Sequence, residues 1–170
     1  FDDDPDGTTI DNKATSTGSA LDGTLTGDAS IISMPLHAMN FDGSNDTLRK
    51  DLVSGDSVLT GSGSFTYEMR IKTDAAGVQT MMSIGENSGN ATTSNGTALR
   101  IESDGSLGFN RSTGDNSADI KGTTAINDGL WHHVAVSYDQ ATGITRLLVD
   151  GEAVAVTTLA AFDISGGIFR

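Results

Sequence analysis

The chain has 170 residues, carries 23 acidic against 10 basic side chains for a net charge of −13, and contains no cysteine. That length is one domain's worth and can bury a core without staples, while the missing cysteines exclude disulfides, thiolate zinc sites and cysteine nucleophiles. A field this negative repels phosphate backbones and anionic bilayers, so nucleic acid is not an expected partner, and a membrane surface would need bridging divalent cations.

Taken in chain order, the first forty residues are mostly turn-like. An acidic loop, Asp2-Asp3-Asp4-Pro5-Asp6-Gly7, is followed by a polar stretch from Asp11 to Ser19 that leads into Leu21-Asp22-Gly23-Thr24-Leu25. Residues 39–49 read as a strand, a turn at Asp42-Gly43-Ser44-Asn45 and a second strand. Residues 64–72 alternate cleanly: Phe65, Tyr67, Met69 and Ile71 point to a core, with Thr66, Glu68, Arg70 and Lys72 on the other face. Residues 78–85 form the next expected strand, and a Gly/Ser/Asn-rich loop covers 86–96. Residues 98–101 and 106–109 read as a hairpin about Asp104-Gly105. Beyond an expected loop at 111–124, residues 131–138 form a strand, and 144–150 with 152–156 form a hairpin about Asp150-Gly151.

The composition supports the same reading. Gly fills 21 positions, and the acids are 19 Asp against 4 Glu, a bias that belongs to turns and cation sites and not to helix surfaces. No stretch holds a 3.6-residue amphipathic period over three turns, and no internal repeat or linker divides the chain. The expectation is therefore one all-β domain over 1–170, a two-sheet antiparallel sandwich. No apolar run approaches the roughly 20 residues of a membrane-spanning helix, so no membrane insertion is expected. The chain opens on Phe1 without an initiating Met or a signal peptide, and reads as a segment of something longer.

Catalytic patterns are weak. Glu68, Glu86, Glu102 and Glu152 sit on separate segments, whereas glycoside hydrolysis needs two paired carboxyls. His132 and His133 are adjacent on a strand and point to opposite faces, so they do not readily share a metal. A structural role is favoured for both. Trp131, within the most regular strand, reads as a core anchor in preference to a sugar platform. Four Asn-x-Ser/Thr triplets, at Asn45, Asn90, Asn95 and Asn110, are explained by chance in so Asn-, Ser- and Thr-rich a chain.

The run Asn127-Asp128-Gly129-Leu130-Trp131-His132-His133-Val134-Ala135-Val136-Ser137-Tyr138-Asp139, followed by Thr145-Arg146-Leu147-Leu148-Val149-Asp150-Gly151-Glu152, resembles laminin-G-like and pentraxin-like domains. These belong to the concanavalin A-like lectin/glucanase superfamily and occur in large bacterial surface adhesins. Met39-Asn40-Phe41-Asp42-Gly43-Ser44-Asn45-Asp46, Gly63 to Lys72, and the entry segment Phe1 to Gly27 fit the same family in order. The resemblance implies a jelly-roll sandwich that is not an enzyme: a binding module, for carbohydrate or another cell-surface ligand, of a secreted or cell-surface protein. Loops 86–96 and 111–124 are the expected contact loops. It also implies a structural calcium (Ca2+) held by Asp2 or Asp4 with Asp42, since hard cations want clustered oxygen ligands. Domains of this family normally continue beyond the strand that Gly167-Ile168-Phe169-Arg170 begins. The domain over 1–170 is therefore expected to lack its closing strand: either the segment stops short of it, an insertion interrupts the domain, or a flanking domain or neighbouring subunit supplies the strand. The rival readings are a purely structural spacer or assembly domain, and a glycoside hydrolase.

Overall fold

The computed structural model describes residues 9–10, 23–27, 29–32, 38–51, 63–85, 96–113, 116–160 and 168–169. They form fourteen strands: β1 (Thr9–Ile10), β2 (Gly23–Thr26), β3 (Ser30–Ile32), β4 (Ala38–Asn40), β5 (Thr47–Asp51), β6 (Phe65–Lys72) and β7 (Gln79–Gly85), then β8 (Gly96–Ile101), β9 (Ser106–Thr113), β10 (Asn116–Ala125), β11 (Trp131–Tyr138), β12 (Ile144–Val149), β13 (Glu152–Thr158) and β14 (Ile168–Phe169). No helix among them is long and apolar enough to cross a membrane.

An eight-stranded sheet runs β1-β2-β5-β14-β7-β8-β9-β10, and a four-stranded sheet runs β13-β12-β11-β6. β3 and β4 make a separate two-stranded ribbon. Every pairing is antiparallel, and β14 is hydrogen-bonded on both sides, Ile168 opposite Asp51 and Gly85. The two strands flanking Asp42 do not pair with each other: β4 joins β3, and β5 joins β2 and β14. The sandwich expected from the alternating pattern is the one found.

The core lies between the two large sheets. Leu99, Ile101, Leu107, Phe109 and Ile120 face Val134, Val136, Leu147 and Val149, with Ile126 sealing one end. Phe65, Tyr67, Met69 and Ile71 pack against this cluster as their alternation predicts. Phe65 stacks on Tyr67 with centroids 4.4 Å apart and leans on Tyr138 at 5.4 Å. Burial pushes the Tyr67 hydroxyl up to about 12, partly offset by a hydrogen bond with the Thr97 side chain.

Both hairpins read from Asp-Gly pairs are present. Gly105 adopts φ +82° with its N–H on the Glu102 carbonyl (2.9 Å), and Asp150 and Gly151 adopt φ +50° and +87°, the two positive values of a type I′ turn. The expected loop at 111–124 is corrected. Its described residues belong to β9 and β10, paired from Asn116 opposite Thr113 to Lys121 opposite Gly108. Gly122 shows why this strand lacks an apolar signature. A β-carbon there would sit 2.9 Å from a Val154 methyl of the facing sheet, so the sheets approach too closely for a larger side chain.

Candidate functional site

β11 is the strand that builds the site. Val134, Val136 and Tyr138 are buried, so the period of two sends Trp131, His133, Ala135 and Ser137 to the outer face. Trp131 is accordingly 38% exposed and is not a core anchor, which corrects the reading from sequence. The parity of Val134-Ala135-Val136 was the signal that placed it outside.

Trp131 walls a cleft of about 580 Å3. Lys72 at the end of β6 and Thr73 and Asp74 after it run along one side, Gly129 precedes the tryptophan, and Ala38, Met39 and Asn40 of the β3–β4 ribbon complete the lining. Lys72 lies directly opposite Trp131 in the sheet register, and Arg70 opposite His133. The Arg70 guanidinium stands over the indole, 5.9 Å from its centroid.

The rim is held by local hydrogen bonds. The Gly129 N–H donates to the Thr73 carbonyl (2.9 Å), and Gly129 takes φ +79° to do so. The Thr73 hydroxyl donates to Gln79 Oε1 (2.9 Å), Gln79 Nε2 donates to the Ala75 carbonyl (2.9 Å), and Asn127 Nδ2 reaches the same carbonyl (3.2 Å). A ligand entering this cleft therefore meets ordered walls, which lowers the entropy cost of binding.

Behind Trp131, His132 occupies the opposite face of β11. Its Nδ1 lies 2.8 Å from Asp150 Oδ2 and its Nε2 lies 3.1 Å from Asp128 Oδ1. Both ring nitrogens meet carboxylate oxygens, an arrangement that only the doubly protonated imidazolium satisfies. The Asp150 bond, with Asp128 assisting, raises the His132 pKa against a burial penalty. Asp150 is lowered by His132 and by the His133 N–H (2.8 Å on Oδ1), and Asp128 is lowered by the Leu130 N–H (2.8 Å) and by His132. The trio ties the loop before β11 to the β12–β13 turn. His133, on the outer face, lies 3.4 Å from Glu68.

The outer face of the large sheet carries a second polar group. Arg100 Nε reaches Glu102 Oε1 (2.6 Å), Arg100 Nη2 reaches Asp119 Oδ1 (3.2 Å), and Asn110 also donates to Asp119. Lys121 pairs with Asp104 at 2.8 Å, and that pairing, with hydrogen bonds from Ser106, holds the Asp104 carboxyl far below its ordinary range. The charged members of this group pair with one another, while Asn110 Oδ1 has no hydrogen-bond partner among the described residues.

Of the expected calcium ligands, Asp2 and Asp4 lie outside the described residues. Asp42 stands in the turn expected for it, where Oδ1 accepts the Ser44 N–H (2.7 Å) and its own N–H donates to Asp46 Oδ2 (2.8 Å). These are the bonds of an Asp that makes a turn. Among the described residues no group of three or more His, Asp or Glu side chains is arranged to hold a metal ion. Of the expected set, Asp42 alone lies among the described residues. Glu68, Glu102 and Glu152 stand on different elements, and Glu86 and most of loop 86–96 lie outside the described residues.

Two antiparallel sheets closed on one core, with a tryptophan-walled cleft at the side, define a lectin-like β-sandwich. A laminin-G family model, described as the concanavalin A-like lectin/glucanases superfamily, matches residues 42–167, and the chain belongs to that family. Its fold is similar to domains LG4-5 of the mouse laminin alpha1 chain, with a TM-score of 0.53 and 18% identity over 71% of this chain and 30% of that one. The chain thus spans less than a third of that laminin structure. It is also similar to the CBM40 of the Ruminococcus gnavus IT-sialidase bound to alpha2,3 sialyllactose, with a TM-score of 0.56 and 19% identity over 71% of each chain. No curated protein sequence matches.

Proposed function

We propose that this domain is a non-catalytic carbohydrate-binding module of a secreted or cell-surface protein, an adhesin by its family resemblance, with its ligand seated beside Trp131. One observation carries the reading: the single tryptophan of the chain is exposed in a cleft rimmed by an amide, an ammonium and a carboxylate. A sugar presents an apolar ring face and a rim of hydroxyls, which an indole face and such polar groups complement. The sialyllactose-bound structure of like fold supports the ligand class. Among the described lining residues Asp74 is the one carboxylate, and a cleft with one carboxylate suits binding better than glycoside hydrolysis, which uses two. Affinity per module is expected to be weak and to be raised by multivalent display.

Binding to a glycan panel, measured for the wild type and Trp131→Ala, tests this. The expected result is a loss on the order of tenfold or more with an unchanged melting temperature, because the indole lies outside the core. Undiminished binding by the variant would move the site elsewhere, and no binding to any glycan would favour the spacer reading. Calcium dependence, through Asp2 or Asp4 with Asp42, is read separately by titrating calcium into metal-stripped protein. A site predicts a rise in melting temperature as RT ln(1 + [L]/Kd) grows, and a flat titration removes it.

A further inference from the structure

We propose that the saccharide taken by this cleft is an acidic one, its carboxylate held by Arg70 and Lys72; this rests on reading the cleft as the glycan site. The chain has only ten Lys and Arg residues among 23 acids, so a cation has ample opportunity to find a carboxylate. Arg100 and Lys121 each do so. Arg70 and Lys72 make no ion pair among the described residues, although both are exposed and stand two residues apart on the same face of β6, about 7 Å by strand geometry. Arg146, on the outer face of β12, is likewise unpaired, and Glu68 beside Arg70 faces the His133 imidazole instead. Three cations thus stand on the outer face of the four-stranded sheet, and two of them, Arg70 and Lys72, lie beside Trp131.

Two details specify the ligand. The Arg70 guanidinium carbon stands over the Trp131 ring, 5.9 Å from its centroid, and its N–H fork, which makes no ion pair among the described residues, matches a carboxylate in shape. Lys72 shares the cleft with Asp74. A simple anion or a phosphate polymer would meet that carboxylate as a like charge, whereas a sugar offers it hydroxyl donors while offering Lys72 and Arg70 an acid group. A ligand bearing both hydroxyls and a carboxylate satisfies all three.

The experiment is calorimetric titration at low salt with matched pairs: oligogalacturonate against the uncharged galactose oligomer, and sialyllactose against lactose. A thymidylate oligomer of equal charge is the third arm. At least one acidic member is expected to bind roughly tenfold more tightly than its neutral parent, and than the oligonucleotide. In the Arg70→Gln/Lys72→Gln double variant the acidic member is expected to lose roughly tenfold more affinity than its neutral parent, so that the preference disappears, and Lys72→Arg retains it. Equal binding of acidic and neutral members overturns the inference and leaves the glycan site standing, as does an oligonucleotide that binds as tightly. Absence of binding by all saccharides overturns both. Both variants change exposed residues, and an unaltered melting temperature shows that the comparison concerns binding alone.

Discussion

Phe109→Ala is expected to lower unfolding stability by about 3–5 kcal/mol, measured by urea denaturation. Phe109 is 1% exposed and lies at the centre of the cluster between the sheets. Its ring tilts against Phe65 at 6.1 Å, and through Phe65 it is joined to Tyr67 and Tyr138. The chain can ill replace it, since aromatics make up 5% of residues and the other members of the buried cluster are aliphatic. Two rigid sheets also collapse poorly onto a cavity, which puts the cost at the upper end of the range. Against a typical total of about 5–15 kcal/mol, such a loss leaves the domain marginal or unfolded. Phe109→Leu keeps most of the volume and should cost less than half as much. A cost below about 1 kcal/mol for the alanine variant would mean that the sheets are not sealed through this ring.

What the sequence disclosed and what it withheld follow from how local each signal is. The alternation of β6 and the Asp104-Gly105 and Asp150-Gly151 turns are contained within a few residues, and all three are present as read. β10 was hidden because Ile120 is its only large apolar side chain, and its inward Gly122 is demanded by Val154 of another strand. Only the facing sheet explains that glycine. The turn at Asp42 was legible, but not that its flanking strands join different sheets, since that pairing depends on β2, β3 and β14.

The site was the least legible part for the same reason. Its walls come from residues 38–40, 72–74, and 129 and 131, three segments that no spacing rule connects. Trp131 itself could have been placed. The same period of two that put Phe65 and Tyr67 inside puts a residue three positions before buried Val134 outside, and reading the tryptophan by its size alone overrode the parity. His132, read as part of the strand's packing, meets the carboxylates of Asp128 and Asp150 instead, which lie in turns on either side of β11.

That trio makes stability depend on pH from both sides. His132 is raised above its ordinary 6.5, so its contribution is complete below that value and is lost as pH rises through the higher native one. Asp128 and Asp150 are lowered below their ordinary 3.8, so theirs is complete above that value and is lost as pH falls through the lower native ones. Between 3.8 and 6.5 all three groups carry the charges that attract, and both ring N–H groups have acceptors. The melting temperature of the wild type should therefore exceed that of His132→Gln by roughly 3–6 °C near pH 5. The margin should narrow as the imidazolium loses a proton above neutrality, where one ring nitrogen turns its lone pair to a carboxylate. Asp150→Asn separates charge from geometry, because asparagine tolerates the φ of +50° and can still accept the His133 N–H. It should remove part of the margin at pH 5 and flatten the decline above neutrality. A wild-type margin that stayed constant from pH 5 to pH 9 would mean that His132 acts by packing alone and that its two carboxylates are bystanders.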